Sequence, residues 1–285
     1  MFNRFTKSYI NSESSFANIM MWKKQYNAQY AIIDSSLVLK YNSPKGVTAF
    51  SMPYTTDDSC IAGAVFKVLE HCKTNNLDYL VLDGNQNFVN RVQECKQLKL
   101  DYNQMRDFQE YIYLSESLAQ LSGKDLHAKK NHVNKFKSLY NYKFVPVDKT
   151  LTELCKQKSV EWLNNKYNGD SSAYGAEYTS IRCALDNFEY FNLFGGALFV
   201  ENELVAYTIG EKLNEDTALV HIEKANINYS GSYATINYEF SNMLKDRFKY
   251  LNREEDMGIE GLRKAKMSYR PCFMTDKFKC IITEV

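Results

Sequence analysis

Ionisable side chains that could act as acids and bases are concentrated in the last third of the chain. Glu223 lies in the apolar run ALVHIEKANI, and the polar block NREEDMGIEGLRKAKMSYRP, which begins at Asn252, contains Glu254, Asp256 and Tyr269. General acid–base catalysis needs one group that takes a proton and another that gives one. The three carboxylates are the candidate bases, and the phenol of Tyr269 is the candidate acid. Alternatively, Tyr269 could be a core residue.

Several residues of the same region could bind a phosphate or carboxylate of a substrate or group donor. A helix N-terminus favours anions because its first backbone N–H groups are unpaired. Arginine suits the same ligands because its planar guanidinium donates two parallel hydrogen bonds. The predicted donor-binding residues are Lys224, Gly231, Ser232, Asn252, Arg253, Arg263 and Lys266. A structural role is also open, since Arg263 could pair with Glu254 and Lys266 could be solvated.

A strand, a glycine turn, a helix and a second strand are predicted to position these residues. The run 218–227 is typical of a strand, NYSGS at 228–232 of a turn, and KYL at 249–251 of a short strand. Between them, apolar residues recur one helical turn apart. They are Ile236, Phe240, Met243, Leu244 and Phe248. The polar block therefore follows a strand that comes directly after this helix.

A second polar segment, SGKDLHAKKNHVNKFKSLY at 122–140, predicts a basic helix. Five lysines against Asp125 give it a local charge of +4; they are Lys124, Lys129, Lys130, Lys135 and Lys137. Its predicted buried stripe is Leu126, Lys130, Val133, Phe136 and Tyr140. The candidate binding residues are His127, Lys130, Asn131 and Asn134. Such a helix could bind phosphate, RNA or anionic headgroups, or it could simply face solvent. We expect no metal site, because His127 and His132 are five residues apart and do not share a helix face.

Composition narrows the class of protein. The 285 residues are 45% hydrophobic and 14% aromatic, which is enough for two packed cores. The formal net charge is only +1, so any attraction to nucleic acid or membrane must come from a local patch. Seven scattered cysteines without a C-x-x-C pair argue against a zinc ribbon, a redox motif or a disulfide framework. With no signal peptide and no run of about 18 apolar residues, we expect a cytoplasmic protein without a transmembrane segment.

The element pattern predicts an α/β (α+β) chain with two similar halves. Helices alternate with strands up to residue 121, and the pattern begins again after Pro146 with two helices and a hairpin at the turn Glu201-Asn202-Glu203. The predicted domains are therefore 1–121 and 146–285, with the basic helix and a strand at 122–145 as the connection. We expect the second domain to carry the site.

Four sequence pieces resemble a bacterial family related to the C-terminal domain of phosphatidylglycerol lysyltransferases and, more distantly, to Fem-type aminoacyltransferases. They are GKDLHAKKNHVNKF (123–136), HIEKA (221–225), GSYATIN (231–237) and NREEDMGIEGLRKAKMSY (252–269). The resemblance implies tandem GNAT (acyl-CoA N-acyltransferase-like) domains, each a mixed central sheet flanked by helices. In that fold a central strand splays from its neighbour, and a glycine turn at a helix start holds the pyrophosphate of an acyl carrier.

The sequence departs from related proteins in two respects. Acetyl-CoA users of the fold favour Gln or Arg, then Gly, then Gly or Ala at the pyrophosphate turn, whereas the matching positions here are Asn228, Gly231 and Tyr233. One glycine disfavours ordinary acetyl-CoA binding. These residues also lack a counterpart of the membrane-embedded domain of the lipid lysyltransferases, so the resemblance alone does not imply a lipid acceptor.

Three functional hypotheses follow. The first is an enzyme that moves an acyl or aminoacyl group from a CoA thioester or an aminoacyl-tRNA to an amine or hydroxyl, with no tightly bound cofactor. The alternative is a non-catalytic binding module for RNA or an anionic ligand on a transferase-like fold. The third is a lipid-modifying enzyme; it would touch membranes only peripherally, because the basic helix has an ordinary core stripe. The sequence predicts neither the acceptor nor the oligomeric state.

Overall fold

A computed structural model describes residues 2–285, except for the side chains at 171–173. The strands are β1 (Gln29–Ile33), β2 (Ser36–Asn42), β3 (Thr48–Phe50), β4 (Tyr79–Gly84), β5 (Leu98–Gln104), β6 (Tyr111–Leu114), β7 (Tyr142–Val147), β8 (Phe194–Val200), β9 (Glu203–Lys212), β10 (Thr217–Ala225), β11 (Tyr250–Asn252), β12 (Phe273–Met274) and β13 (Phe278–Glu284). The helices are α1 (Asn3–Thr6), α2 (Phe16–Tyr26), α3 (Cys60–Thr74), α4 (Gln86–Glu94), α5 (Ser115–Gln120), α6 (His127–Leu139), α7 (Lys149–Lys166), α8 (Ser171–Asp186), α9 (Ser232–Leu244) and α10 (Glu260–Met267).

The chain forms two compact units, each built on one mixed sheet flanked by helices. The first unit contains residues up to Gln109 together with 274–285, and the second contains 110–273. The predicted fold class, an α/β chain with two mixed central sheets flanked by helices, is confirmed. No helix within the described part of the chain is long and apolar enough to cross a membrane.

The first unit has the strand order β1-β2-β3-β4-β13-β5. The last strand, β13, pairs antiparallel with β4 on one side and with β5 on the other, so it is an interior strand. Its alternate residues Phe278, Cys280 and Ile282 are buried in the core. α3 buries the whole of its apolar stripe, from Ile61 to Cys72, against the same core.

The second unit has the strand order β12-β6-β11-β10-β9-β8-β7. β10 is antiparallel to β9 from Ala218 to Ala225, but it is parallel to β11 over three residue pairs only, ending at Leu219 and Asn252. Beyond these pairs the two strands separate. The register of β10 against β9 shifts between Val220 and Ile222, so His221 occupies a β-bulge at the separation. Bulges re-aim side chains and are frequent next to active sites, and ligands often bind beyond the carboxyl ends of parallel strands.

The compact units do not coincide with the predicted domain boundaries. The segment 122–145, predicted as a connection, belongs to the second unit, because β7 pairs with β8 and α6 packs on α9. β6 also belongs there through its pairing with β11, and β13 returns to the first unit. Strands that pair across more than 130 residues do not change the local periodicity of the sequence. The pattern of elements therefore could not predict that β6 belongs to the second unit and β13 to the first.

Candidate functional site

Two polar contacts bridge the gap where β10 and β11 separate. Glu223 Oε1 accepts a hydrogen bond from Arg253 Nη2 at 2.9 Å, and His221 Nδ1 lies 3.1 Å from Glu254 Oε1. Each contact joins a residue of β10 to the polar block that follows β11. The gap therefore brings together three of the residues that the sequence predicts, Glu223, Arg253 and Glu254.

Arg253 lies at the centre of this gap between two tyrosines. Its side chain is 11% exposed, and its Cζ lies 4.9 Å from the ring centroid of Tyr269 and 5.6 Å from that of Tyr113. Nη2 pairs with Glu223, whereas Nη1 is buried without a hydrogen-bond partner. An unpaired buried donor costs about 1–3 kcal/mol, so a ligand oxygen that reached Nη1 would recover this free energy.

The second carboxylate oxygen of Glu223 faces α9. Asn237 Nδ2 donates to Glu223 Oε2 at 3.3 Å, which is a long hydrogen bond. The Oδ1 of Asn237 and, two residues earlier in α9, the hydroxyl of Thr235 are buried without partners. Unpaired polar atoms thus lie on both sides of the Glu223 carboxylate, at Arg253 and on α9.

His221 is a site residue for which the sequence analysis predicts no role. Its side chain is fully buried, and Nε2 lies 3.0 Å from Glu211 Oε1 on the side opposite Glu254. Burial by itself would lower the pKa of His221, but the hydrogen bonds to Glu211 and Glu254 outweigh it and raise the pKa to about 9. The imidazole is therefore protonated at neutral pH and holds the two carboxylates in place. A histidine in the central strand, two residues before Glu223, was the signal that could have found it.

Tyr269 and Lys129 lie beside Arg253. Burial raises the pKa of Tyr269 to about 12, although the nearby Arg253 partly opposes the rise, so the phenol keeps its proton at neutral pH. Lys129 Nζ lies 4.4 Å from the ring centroid of Tyr269. Burial, together with Arg253, lowers the pKa of this lysine. α6 therefore sends one cation toward the candidate site.

Asp256 is held too firmly to be an effective base. Its buried carboxylate accepts hydrogen bonds from Arg263 Nε at 2.8 Å and Nη2 at 2.7 Å, from the Tyr111 hydroxyl at 2.5 Å and from the Gly258 amide at 2.8 Å. Arg263 in particular holds the pKa of Asp256 well below its usual range. This geometry favours a positioning role for Asp256 and Arg263 over the predicted roles in proton transfer and donor binding.

Lys266 and Asn252 support the backbone of the polar block. Lys266 Nζ donates to the carbonyl oxygens of Arg253 at 2.6 Å, Glu254 at 3.1 Å and Glu255 at 2.5 Å. Asn252 Oδ1 accepts from the Glu254 amide at 2.8 Å, where the Glu254 backbone is left-handed with φ of 56°. These contacts fix Arg253 and Glu254 rather than presenting Lys266 and Asn252 to a donor.

The remaining predicted donor-binding residues are also engaged within the fold. Lys224 pairs with Glu177, and the Ser232 hydroxyl donates to the carbonyl oxygen of Asn226 at 3.0 Å. Gly231 begins α9 with φ of 92°. A Cβ at this position would stand 2.6 Å from the carbonyl oxygen of His132 on α6. The glycine therefore permits α6 to pack closely against the start of α9.

The predicted residues of the basic helix lie apart from Glu223 and Arg253. His127, Lys130, Asn131 and Asn134 are all exposed. Of the predicted buried stripe, Leu126, Val133 and Phe136 are buried, but Lys130 is not, so its inclusion was wrong; an ammonium is costly to bury without a partner. In the described part of the chain, no three His, Cys, Asp or Glu side chains are grouped so that they could hold a metal ion.

Comparison with known proteins shows what this chain is similar to. The family model for the C-terminal region of phosphatidylglycerol lysyltransferase matches residues 6–281. A conserved protein of unknown function from Bacteroides thetaiotaomicron is 34% identical and superposes with a TM-score of 0.91, covering 99% of this chain and 95% of that one. An uncharacterised protein of Mycoplasmoides gallisepticum is 26% identical over 174 residues, 59% of this chain, so the match spans only about half (54%) of that relative's length.

More distant solved structures share the fold. L-PGS from Bacillus licheniformis superposes with a TM-score of 0.65 at 11% identity, covering 98% of this chain and 90% of that one. FemX superposes with a TM-score of 0.57 at 8% identity, covering 98% and 94%. At these identities the likeness shows the fold alone. Because the family model spans nearly all of these residues, and the Bacteroides protein is similar over the same length, the chain belongs to the phosphatidylglycerol lysyltransferase C-terminal family.

Proposed function

We propose that the second unit transfers an aminoacyl group from an aminoacyl-tRNA to an amine or hydroxyl acceptor. The observation that carries the proposal is the Glu223–Arg253 pair, buried beside Tyr113 and Tyr269 where β10 separates from β11. It places a carboxylate, a guanidinium with an unpaired N–H and a protonated phenol in one gap. Membership of a family described as lysyltransferases supports transfer of an amino acid rather than of another acyl group.

Glu223 is the proposed base and Arg253 the proposed oxyanion donor. Glu223 Oε2 has only the long hydrogen bond from Asn237, so it can accept the proton that the acceptor loses as it attacks the ester carbon. The carbonyl oxygen then gains negative charge, and Arg253 Nη1 can donate to it. A preorganised donor in a water-poor site is the usual way to stabilise such an intermediate.

Tyr269 is the proposed acid. When the tetrahedral intermediate collapses, the ribose oxygen of the tRNA leaves and takes the phenolic proton, and the Tyr269 phenolate then recovers a proton from solvent. Tyr269 carries that proton at neutral pH because a phenol ordinarily has a pKa near 10, and burial raises the pKa of Tyr269 further, to about 12. An alkoxide is far more basic than a thiolate and so gains more from this proton. The phenol therefore favours an oxygen ester, as in aminoacyl-tRNA, over a CoA thioester.

The test incubates the full chain with a panel of aminoacyl-tRNAs and acceptor amines. Donor consumption is measured by the release of uncharged tRNA, and transfer is measured by the mass of the aminoacylated acceptor. We expect Glu223→Gln and Tyr269→Phe each to lower the transfer rate by about 10²–10⁴-fold. Glu215→Gln is the matched control, because Glu215 is an exposed carboxylate of the same unit. Full activity of the Glu223 variant would overturn the role of the carboxylate.

Acetyl-CoA forms the second arm of the same test. Gly231 is the N-cap of α9, the next helix after β10, and this is the position at which CoA users of this fold bind pyrophosphate. Consumption of the thioester without consumption of any aminoacyl-tRNA would assign the protein to acyl-CoA chemistry instead.

A further inference from the structure

Lys129 is held against the candidate site without a carboxylate partner. Its Nζ lies 4.4 Å from the ring centroid of Tyr269, and Arg253 Cζ lies 4.9 Å from the same centroid. The side chain is half-buried, and among the described residues no carboxylate lies within ion-pair distance of Nζ. The two carboxylates of this gap are already engaged, Glu223 with Arg253 and Glu254 with His221. Lys129 and Arg253 thus contact the same ring, and Lys129 has no carboxylate of its own.

This unbalanced charge favours an anionic ligand. Burial and the neighbouring Arg253 both disfavour the charged form of Lys129 and lower its pKa. An anion bound near both cations, beside the Tyr269 ring, would offset their repulsion and also offer an acceptor to Arg253 Nη1, which is buried without a partner. Phosphate oxygens are natural ligands for such a lysine and arginine.

Other lysines of the same segment indicate whether the anion belongs to a small molecule or to a nucleic acid. Lys124, Lys130 and Lys135 are exposed on the same segment, and within the described part of the chain none of them takes part in an ion pair. A lipid headgroup or a small phosphate ester would occupy Lys129 alone, whereas a nucleic acid strand would also contact the exposed lysines along the helix. These additional unpaired lysines therefore favour RNA over a lipid headgroup or a small phosphate ester.

We propose that Lys129 and Arg253 bind the phosphate nearest the reacting ester at the 3′ end of an RNA donor, and that Lys124, Lys130 and Lys135 bind phosphates farther from that end. This inference rests on the proposed function, since it concerns the donor of that reaction. It separates two neighbouring lysines by role: Lys129 recognises the 3′ end, and Lys130 contributes general attraction to the RNA backbone.

The packing of α6 supports this assignment. Val133 and Phe136 are buried, Phe136 belongs to one core cluster with Ile236, and Gly231 allows the α6 backbone to lie against the start of α9. These side-chain and backbone contacts fix α6 against α9. Lys129 is presented from a rigid element, which a specific phosphate contact requires.

The test measures binding of uncharged tRNA and of the same tRNA lacking its terminal CCA, by fluorescence anisotropy over a series of salt concentrations. The proteins are the wild type, Lys129→Gln, Lys130→Gln and Lys143→Gln; Lys143 is an exposed lysine on β7 and serves as the matched control. We expect Lys129→Gln and Lys130→Gln each to reduce the salt slope for intact tRNA by roughly one. Lys143→Gln should leave it unchanged.

The shortened tRNA gives the decisive comparison. We expect Lys130→Gln to weaken its binding as before, and Lys129→Gln to have no further effect, because the phosphate that Lys129 binds has been removed. An equal effect of Lys129→Gln on both RNAs, or no effect on either, would overturn the assignment. Binding of phosphatidylglycerol vesicles that depends on Lys129, with RNA binding that does not, would overturn it in favour of a lipid.

These outcomes are separable from those of the transfer assay, because uncharged RNA is bound without any reaction. A wild type that binds tRNA in this pattern but consumes no aminoacyl-tRNA would refute the proposed transfer and leave the phosphate site standing. A wild type that transfers the amino acid while Lys129→Gln behaves like Lys143→Gln would refute the phosphate site alone.

Discussion

At the scale of single residues, His221 shows how a positive charge is kept inside the sheet. The group has a pKa of about 9 in the folded protein and about 6.5 in an unfolded chain. A raised folded-state pKa means that the native state binds the proton more tightly. The stability that this proton contributes is therefore fully present below about pH 6.5 and is lost as the pH rises through about 9.

We expect His221→Gln to remove this pH dependence. Between about pH 6.5 and pH 9.5 the wild type should lose on the order of 3 kcal/mol of unfolding free energy that the variant does not lose, since each pKa unit corresponds to about 1.4 kcal/mol. Urea denaturation of both proteins across this range measures the difference, in which the other titrating groups cancel. Parallel pH profiles for the two proteins would show that His221 is not held as an imidazolium.

The sequence predicted part of this site and could not predict the rest. Glu223 and Arg253 were foreseeable because a strand and the block after its neighbour must meet at one end of the sheet. Tyr113 reaches Arg253 only because β6 pairs with β11, about 140 residues later in the chain. Lys129 and Lys130 differ by about 100° around the helix axis, and the tertiary contacts of α6, rather than its own periodicity, decide which of them faces Tyr269.

At the scale of elements, Gly231 joins two helices. It begins α9 in the left-handed region, and its missing Cβ is what admits the His132 carbonyl oxygen of α6. The glycine turn, which the sequence suggested as a phosphate site, thus also sets the distance between α9 and the helix that carries Lys129. A side chain here would act on the site through the position of α6.

We expect Gly231→Ala to be more damaging than its backbone strain alone explains. Gly169 has a similar φ of 82°, but a Cβ there would meet nothing within 4 Å. Gly169→Ala should therefore cost only the strain of a positive φ, about 1–2 kcal/mol, whereas Gly231→Ala adds the clash with α6. Chemical denaturation of both variants measures the loss of unfolding free energy, and tRNA binding measures the effect on the site. Equal losses of unfolding free energy would show that the contact between Gly231 and α6 does not contribute to stability.

Local patterns predicted the elements that depend on local chemistry. Of the five predicted core residues of this helix, Ile236, Phe240 and Leu244 are buried on α9, Met243 is partly buried, and Phe248 is buried beyond the end of the helix. β8 and β9 form the expected hairpin, joined through Glu201 and Asn202 with φ of 49° and 72°. β5 was not predicted, because most of its residues are exposed and its pairing with β13 is formed with the last residues of the chain.

At the scale of the whole molecule, the chain completes its first sheet only with its last strand. β13 lies between β4 and β5, so those two strands are neighbours only through it. A strand in the interior of a sheet supplies hydrogen bonds on both edges and apolar side chains to the core. The first unit therefore cannot reach its final structure until residues 278–284 have been synthesised.

We expect deletion of residues 275–285 to unfold the first unit, because it removes Phe278, Cys280 and Ile282 from the core and leaves β4 and β5 without a partner between them. Hydrogen exchange of the shortened chain should show lost protection at β4 and β5 and retained protection at β9 and β10. A point substitution gives a milder version of the same test. Ile282→Ala should lower the unfolding free energy by about 2–5 kcal/mol, whereas Ile281→Ala, at a position that is 38% exposed on the same strand, should cost much less. Retained protection of β4 and β5 in the shortened chain would mean that the first sheet closes without its last strand.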